Sequence, residues 1–380
     1  MSGAKVMLIA GEPSGDLLAA ELVAALRAKR PDVECFGAGG PSMAAAGVEL
    51  AFDMTQHAVI GLWEAVRKYF EFRRLLNELL RLALERRPDV IVCVDFGGFN
   101  SRFAAALRDY QRNYLRHLSW RPKLVQFVSP QVWASRPGRA DSLACDFDKL
   151  LCILPFEWEW WAKRVPGFPV EFVGHPILGR HGSDGATEPS GKPLVALMPG
   201  SRRGELKKHL PVIAAAARRI AAESDVEFRV LLPNSEFVAL TEAAFAKVPD
   251  CAIQIGGAGE MLRSATVALS KTGTITLECA LCGLPTVTFY QTSPLTYFIG
   301  RRVVTVPYLT MPNLLAKEAV FPEFVQDDAS PENLAGAVLE LLRDEKRREA
   351  VKVKLAALVA TLGEPGAPDR AAEAVIGLMT

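Results

Sequence analysis

The sequence predicts an α/β protein built as two Rossmann-like parallel-sheet domains facing a cleft. Three observations predict it. Short apolar runs alternate with helical patterns along the chain, as in parallel strands joined by crossover helices. The chain has 380 residues, more than one ordinary core serves. A polar segment rich in Gly, Ser and Pro, residues 178–192, interrupts the alternation near the middle. The expected division is residues 1–178, then 179–366, then a terminal helix within 367–380. The sequence leaves open whether that helix packs back on the first domain.

The apolar runs place strands at residues 6–10, 33–37, 90–95, 124–128, 149–154 and 170–173 of the first half. Helical patterns cover 16–29, 62–86 and 100–118. Strands at 194–198, 228–232, 252–255, 267–270 and 285–290 follow the polar segment, with helices between them and at 331–342, 346–362 and 367–379.

Composition narrows the function classes. Apolar residues make up 50% and charged residues 23%, and the net charge is +1. A near-neutral chain has no bulk electrostatic drive toward nucleic acid. Basic residues cluster locally, around Arg202 to Lys208 and at Arg67, Lys68, Arg73 and Arg74. No secretory pattern precedes the first strand, and no apolar run approaches the ~20 residues of a membrane span. The expected location is cytoplasmic, with contact to a membrane surface left open. Seven scattered cysteines do not form a disulfide framework, and the lone Cys279-Ala-Leu-Cys282 reads as helix thiols.

Ligands of open parallel sheets bind beyond the carboxyl ends of the strands, so the residues following each strand carry the argument. The first strand runs into Gly11-Glu-Pro-Ser-Gly-Asp16, where the glycines allow a close turn and Ser14 or Asp16 can cap the next helix. Glu12 repels phosphate, so it suits a hydroxyl-rich group or proton transfer, or is a solvated loop acid. The strand ending at Val94 runs into Asp95-Phe-Gly-Gly-Phe-Asn100. Asp95 is either a fixed general base or a helix cap. Ser129-Pro-Gln-Val-Trp133 follows the next strand. Ser129, Gln131 and Trp133 beside Arg136 and Arg139 suit sugar or lipid-phosphate contact, or Trp133 is a packing residue. His175 ends another strand, with contact to the cleft or a structural role equally open.

The second half opens with Leu194 to Met198 and then Pro199-Gly-Ser-Arg202. Gly200, Ser201 and Arg202 at a helix start form an anion site. Thr272, Gly273 and Thr274 form a second one after the strand ending near Ser270. Glu278 lies one turn beyond, in reach of ribose hydroxyls. Two anion sites and one acid fit a nucleoside diphosphate, or the two segments are capped helix starts with no ligand, and no P-loop pattern is present. A stripe of Val59, Trp63, Val66 and Phe70, flanked by Arg67 and Lys68, reads either as core or as an acyl-chain and membrane-surface element.

Taken in order, these segments resemble the lipid-A-disaccharide synthase family. The resemblance runs from Ala10-Gly-Glu-Pro-Ser-Gly-Asp16 to Pro322-Glu-Phe-Val-Gln326. It includes Ser129 to Trp133, Leu154-Pro-Phe-Glu157, Val173-Gly-His-Pro176, Pro199 to Arg202, Thr272 to Thr274 with Glu278, and Pro312-Asn-Leu-Leu315. The resemblance implies a GT-B fold and an inverting glycosyltransferase that joins UDP-2,3-diacylglucosamine to lipid X, giving lipid A disaccharide 1-phosphate and UDP. It implies that Asp95 deprotonates the acceptor 6-hydroxyl, that Arg202 neutralises the leaving diphosphate, and that Glu12 is an important loop acid. It also implies nucleotide contacts from Thr272, Gly273, Thr274 and Glu278, donor-side contacts from Asn313 and Gln326, and peripheral attachment to the cytoplasmic face of the inner membrane. No metal or other cofactor is expected, because no acidic or His cluster has ligand spacing. A homodimer is left open. Many members carry Asp-Ala-Pro-Asp-Phe-Asn where this chain has Asp95-Phe-Gly-Gly-Phe-Asn100, so the second acid is replaced by Gly98. The competing readings are another UDP-sugar enzyme on this fold, such as a UDP-N-acetylglucosamine 2-epimerase, and a non-catalytic nucleotide-sugar-binding relative.

Overall fold

A computed structural model describes residues 3–55, 62–114, 120–180 and 191–379, with backbone alone for 62–69 and for 299. The chain forms two compact units, Met1–Gly179 with Leu362–Thr380, and Arg180–Thr361. The return to the first unit therefore begins at Leu362, ahead of the terminal helix.

The first unit contains the strands β1 (Lys5–Ala10), β2 (Glu34–Gly39), β3 (Glu49–Asp53), β4 (Val90–Val94), β5 (Lys123–Phe127), β6 (Lys149–Cys152) and β7 (Val170–Phe172). They form one sheet in the order β3-β2-β1-β4-β5-β6-β7, and the paired strands run parallel. Both faces are covered, which is why the strands read as unbroken apolar runs. On one face Val6, Leu8, Leu22, Leu26 and Val375 share a core. On the other Met7, Ile9, Leu79, Phe103 and Trp161 do. The helices Pro13–Lys29 and Ala367–Ile376 pack together on the first of these faces. Arg370 fastens the returning segment, donating to the carbonyls of Val173, Pro365 and Glu364.

The second unit contains β8 (Leu194–Met198), β9 (Glu227–Leu232), β10 (Cys251–Ile255), β11 (Val267–Lys271), β12 (Thr286–Tyr290) and β13 (Glu323–Val325), in the order β10-β9-β8-β11-β12-β13. All of these pairs are also parallel. Val195, Leu197, Ile213, Phe228, Val230 and Val338 lie in its core, which the helices Arg203–Glu223 and Pro331–Arg343 help to form.

Several local expectations change. β3 and β13 are additional edge strands, short and only partly buried. Neither Ser14 nor Asp16 caps its own helix, whose first turn starts at Pro13 after an uncapped Glu12. Buried Asp16 instead accepts from the backbone N–H groups of Gly40, Ser42 and Met43, so it holds the start of the neighbouring helix Pro41–Ala45. Cys282 lies just past the helix Ile275–Leu281 as its C-cap, whereas Cys279 is inside it and buried.

Candidate active site

Each sheet reverses its strand order once, between β1 and β4 in the first unit and between β8 and β11 in the second. Such switch points leave a crevice beyond the carboxyl ends of the two central strands. Four of the segments singled out in the sequence, beginning at Gly11, Asp95, Pro199 and Lys271, follow these four strands.

In the first unit the turns after β1 and β4 are in contact. A Cβ on Gly11 would lie 2.3 Å from the Phe96 ring, so any larger residue there would push that ring away. Gly15 lies beside Asp95 at ordinary contact distance, with the Asp95 Cβ 3.5 Å from a Cβ built on Gly15. Asp95 and Phe96 are two successive non-glycine residues in the left-handed region, with φ of 49° and 44°. Each such residue costs roughly 1–3 kcal/mol and persists only where its surroundings hold it. Here two buried amides do so. Asn100 Nδ2 and Gln126 Nε2 donate to the Asp95 carbonyl at 2.8 and 3.1 Å. Phe96 also stacks on Phe99, with ring centroids 5.6 Å apart. Burial raises the pKa of Asp95 above the ordinary carboxylate range, and the backbone N–H of Phe96 opposes the shift. The result is a fixed, partly desolvated acid, as a general base requires. Glu12 is half-buried at the neighbouring helix start. A side chain at exposed Gly98 would meet nothing within 4 Å, so the position has room for a larger residue.

The segment after β5 departs from expectation. Trp133 is only 8% exposed and Ser129 only 3%. Both side chains are directed inward rather than displayed on the surface. Trp133 Nε1–H donates to Glu157 Oε1 at 3.0 Å, and Trp161 Nε1–H donates to Ser129 Oγ at 3.0 Å. Trp133 also meets Phe156 edge-on. Gln131 alone of the three is exposed. Glu157 is thus the buried anchor of this loop, also accepting from Leu154 N–H at 3.2 Å. Its partner Trp133 is 24 positions away, so nothing local in the sequence marks the pair.

Burial pushes the Glu157 carboxyl up to about 7, against the opposing hydrogen bonds from Trp133 and Leu154. The native state therefore holds its proton between the unfolded value near 4.5 and about 7. Stability contributed by the neutral acid is present below that window and is lost as pH rises through it, on the order of 3 kcal/mol in full. Urea unfolding at pH 5 and pH 8 should show this loss in the parent, and a clearly smaller one in Glu157→Gln. Identical pH dependence in the two proteins would remove Glu157 as the titrating group.

In the second unit Gly200 has φ of +116°, a conformation that favours glycine. A Cβ there would lie 2.7 Å from Glu205 Oε2. Arg202 occupies the N-cap of the 21-residue helix Arg203–Glu223, and its side chain is 56% exposed. Glu205 lies 3.9 Å from the Arg202 guanidinium and 3.2 Å from Lys271 Nζ. Lys271 ends β11, and its ammonium is 3.4 Å from a Cβ built on Gly273. The loops after β8 and β11 therefore bring together Arg202, Lys271 and Glu205, with Gly200 and Gly273 beside them. Glu205 Oε2 is buried and has no partner among the described residues. Ser201, Gly273 and Thr274 are exposed, and Thr272 is buried. Burial raises the pKa of Glu278, with Arg180 opposing. Arg203 faces Glu236 at 3.9 Å and is 71% exposed.

Reading the sequence missed Lys271 and Glu205. Lys271 had a signal, a cation at the end of a buried parallel strand. It also missed His209, fully buried, whose ring nitrogens lie 2.7 Å from the Pro199 carbonyl and 3.1 Å from that of Gln291. That ring ties the loop after β8 to the loop after β12.

Asn313 is not a lining residue. It is fully buried, and its amide exchanges hydrogen bonds with both backbone groups of Phe321 and donates to Glu323. Gln326, at φ +55°, accepts from Thr292 N–H at 2.7 Å and so braces the segment after β12. Of the apolar stripe, Val59 and the side chains of Trp63, Val66, Arg67 and Lys68 lie outside the described residues. Phe70 is 73% exposed, so it is not core. Among the described residues no three His, Cys, Asp or Glu side chains gather as a metal site, and no helix is long and apolar enough to cross a membrane.

Comparison with known proteins adds four findings. The model of the family described as lipid-A-disaccharide synthetase matches residues 6–374. A lipid-A-disaccharide synthase of Anaeromyxobacter sp. (strain K) is 37% identical over 385 residues, covering 99% of this chain and 97% of that protein. Among solved structures, the calicheamicin glycosyltransferase CalG4 superposes with a TM-score of 0.63 at 15% identity, over 100% of this chain and 99% of its own. The UDP-GlcNAc 2-epimerase of Neisseria meningitidis bound to UDP-GlcNAc gives 0.61 at 10% identity, over 99% of each. The latter two likenesses show the GT-B fold alone.

Proposed function

The chain belongs to the lipid-A-disaccharide synthetase family, and from that membership we infer that it is the glycosyltransferase that makes the lipid A disaccharide. Its substrates are a nucleotide-sugar and a lipid. We propose that they are UDP-2,3-diacylglucosamine and 2,3-diacylglucosamine 1-phosphate (lipid X), and that the products are the β-1,6-linked disaccharide 1-phosphate and UDP.

In the proposed reaction Asp95 accepts the proton of the acceptor 6-hydroxyl. The oxygen attacks the anomeric carbon as the bond to the β-phosphate breaks, and that electron pair leaves on UDP. One displacement turns the α link of the donor into a β link. Arg202 and Lys271 meet the charge that develops on the diphosphate, with Ser201, Gly273 and Thr274 as hydrogen-bond donors around it. With two cations placed to meet that charge, we propose a reaction without a metal. Glu278 is assigned to the ribose and Glu12 to the acceptor sugar. Asn313, Gln326, Ser129 and Trp133 are positioning residues that shape loops rather than touch substrate. The lipid substrates favour work at the cytoplasmic face of the inner membrane, with the helix Leu62–Arg86 as one contact.

The observation that carries these roles is topological. The acid and the cation cluster each follow the central strands of their own sheet, where ligands of this architecture bind. The test is direct. The purified protein with UDP-diacylglucosamine and lipid X, treated with chelator, should release UDP and form disaccharide in equal amounts. UDP release without disaccharide, or neither product from folded protein, would sink the assignment.

A further inference from the structure

The second unit carries an exposed apolar face that the chemistry above leaves unused. The helix Pro294–Val303 exposes Leu295 at 61% and Phe298 at 58%. Val304 and Leu309 just beyond it are 40% and 41% exposed. Leu295, Phe298 and Arg302 are spaced i, i+3 and i+7, so they share one side of the helix. The Arg302 guanidinium lies 3.5 Å above the Phe298 ring, and that of Arg301 lies 5.8 Å from the Tyr297 ring. The charged heads themselves face the rings, and Arg302 also donates to the Phe298 carbonyl at 3.2 Å, while both arginines remain exposed.

Along the chain the charge pattern around the helix is one-sided, and the carboxylate that approaches from elsewhere, Glu323, is held by the N–H groups of Leu309 and Thr310. From Cys279 to Lys317, 39 residues, the chain contains no Asp or Glu, while it contains Arg301, Arg302 and Lys317. Chance acids are frequent in a chain with 43 of them. Elsewhere on this surface, arginines such as Arg219 and Arg343 are paired with carboxylates. Bulky apolar groups interleaved with exposed arginines that make no ion pair among the described residues fit, on a short amphipathic helix, the boundary between acyl chains and anionic headgroups.

We propose that the helix Pro294–Val303 is a membrane-contact element of the second unit, inserting Leu295 and Phe298 into an anionic lipid surface with Arg301 and Arg302 at the phosphates. This rests on the reading that the enzyme works at a membrane. It adds a contact on the nucleotide-binding unit to the one assigned to the first unit.

The test is flotation of the full-length protein with phosphatidylcholine vesicles, with and without phosphatidylglycerol. The parent should bind the anionic vesicles. Leu295→Ser/Phe298→Ser should weaken binding at least about tenfold, from the apolar area no longer buried. Arg301→Gln/Arg302→Gln should lower the anionic preference by about fivefold per residue. Both variants should keep the parent rate on detergent-dispersed substrates. A parent that binds neither vesicle overturns the membrane reading itself. A parent that binds while the Leu295/Phe298 variant binds equally well overturns this proposal alone. The same holds if that variant loses self-association in lipid-free sedimentation and keeps vesicle binding, which gives the face to a second copy.

Discussion

Asp95→Asn is expected to lower kcat by about 10²–10⁴, the range a positioned general base contributes, and to leave UDP affinity within about twofold. Asparagine preserves the shape of the side chain and removes the proton acceptor. The backbone that presents it is held by Asn100 and Gln126 through the carbonyl, not through the carboxylate. The substitution therefore leaves the strained turn in place. The pH profile gives a second readout. A base works only when ionised, so the parent rate falls as pH drops through the Asp95 pKa. Burial has raised that pKa, so the acid limb lies above the usual carboxylate range. The limb should vanish from the residual activity of Asp95→Asn. Single-turnover measurement together with UDP titration separates the two effects. A kcat within tenfold of the parent would assign the base elsewhere, with Glu12 as the next candidate.

Arg202→Ala is expected to lower kcat by about 10²–10³, the loss seen when one preorganised stabiliser of developing charge is removed. The effect should exceed its effect on KM, because charge on the diphosphate is greatest in the transition state. Arg202→Lys should recover only part of the rate, since a point charge cannot reproduce the two-pronged contact of a guanidinium. The exposure of Arg202 and its loose 3.9 Å contact with Glu205 leave it able to reorient toward a phosphate. Lys271 is held more closely by the same carboxylate. Equal losses in kcat/KM and UDP affinity, with kcat untouched, would make Arg202 a binding residue only.

How far the sequence foretold this molecule depended on distance along the chain. Strands buried on both faces, such as β4 and β8, are unbroken apolar runs that stop at a turn, so their ends and the residues beyond them were readable. β3 and β13 escaped because the apolar runs in Glu49-Leu-Ala-Phe-Asp53 and Glu323-Phe-Val325 are only three and two residues long. The loop chemistry of Asp95 and Arg202 was legible from their neighbours. The roles of Trp133, Asn313 and Asp16 were not, because the groups that satisfy them belong to other elements. A polar side chain after a strand looks the same in sequence whether it faces a ligand or a buried carboxylate.

The late return of the chain to the first unit has a consequence for the order of synthesis. Ala371, Ala372, Ala374 and Val375 belong to the same core as β1 and β4. The first unit is therefore unfinished until residues 367–376 have been made. All of residues 180–361 leave the ribosome in between, and they form a unit with its own core. The second unit can thus complete its fold while the first still exposes apolar surface along the helix Pro13–Lys29. A frameshift or stop late in the message would spare every residue of the proposed site and still leave open the core beneath Asp95.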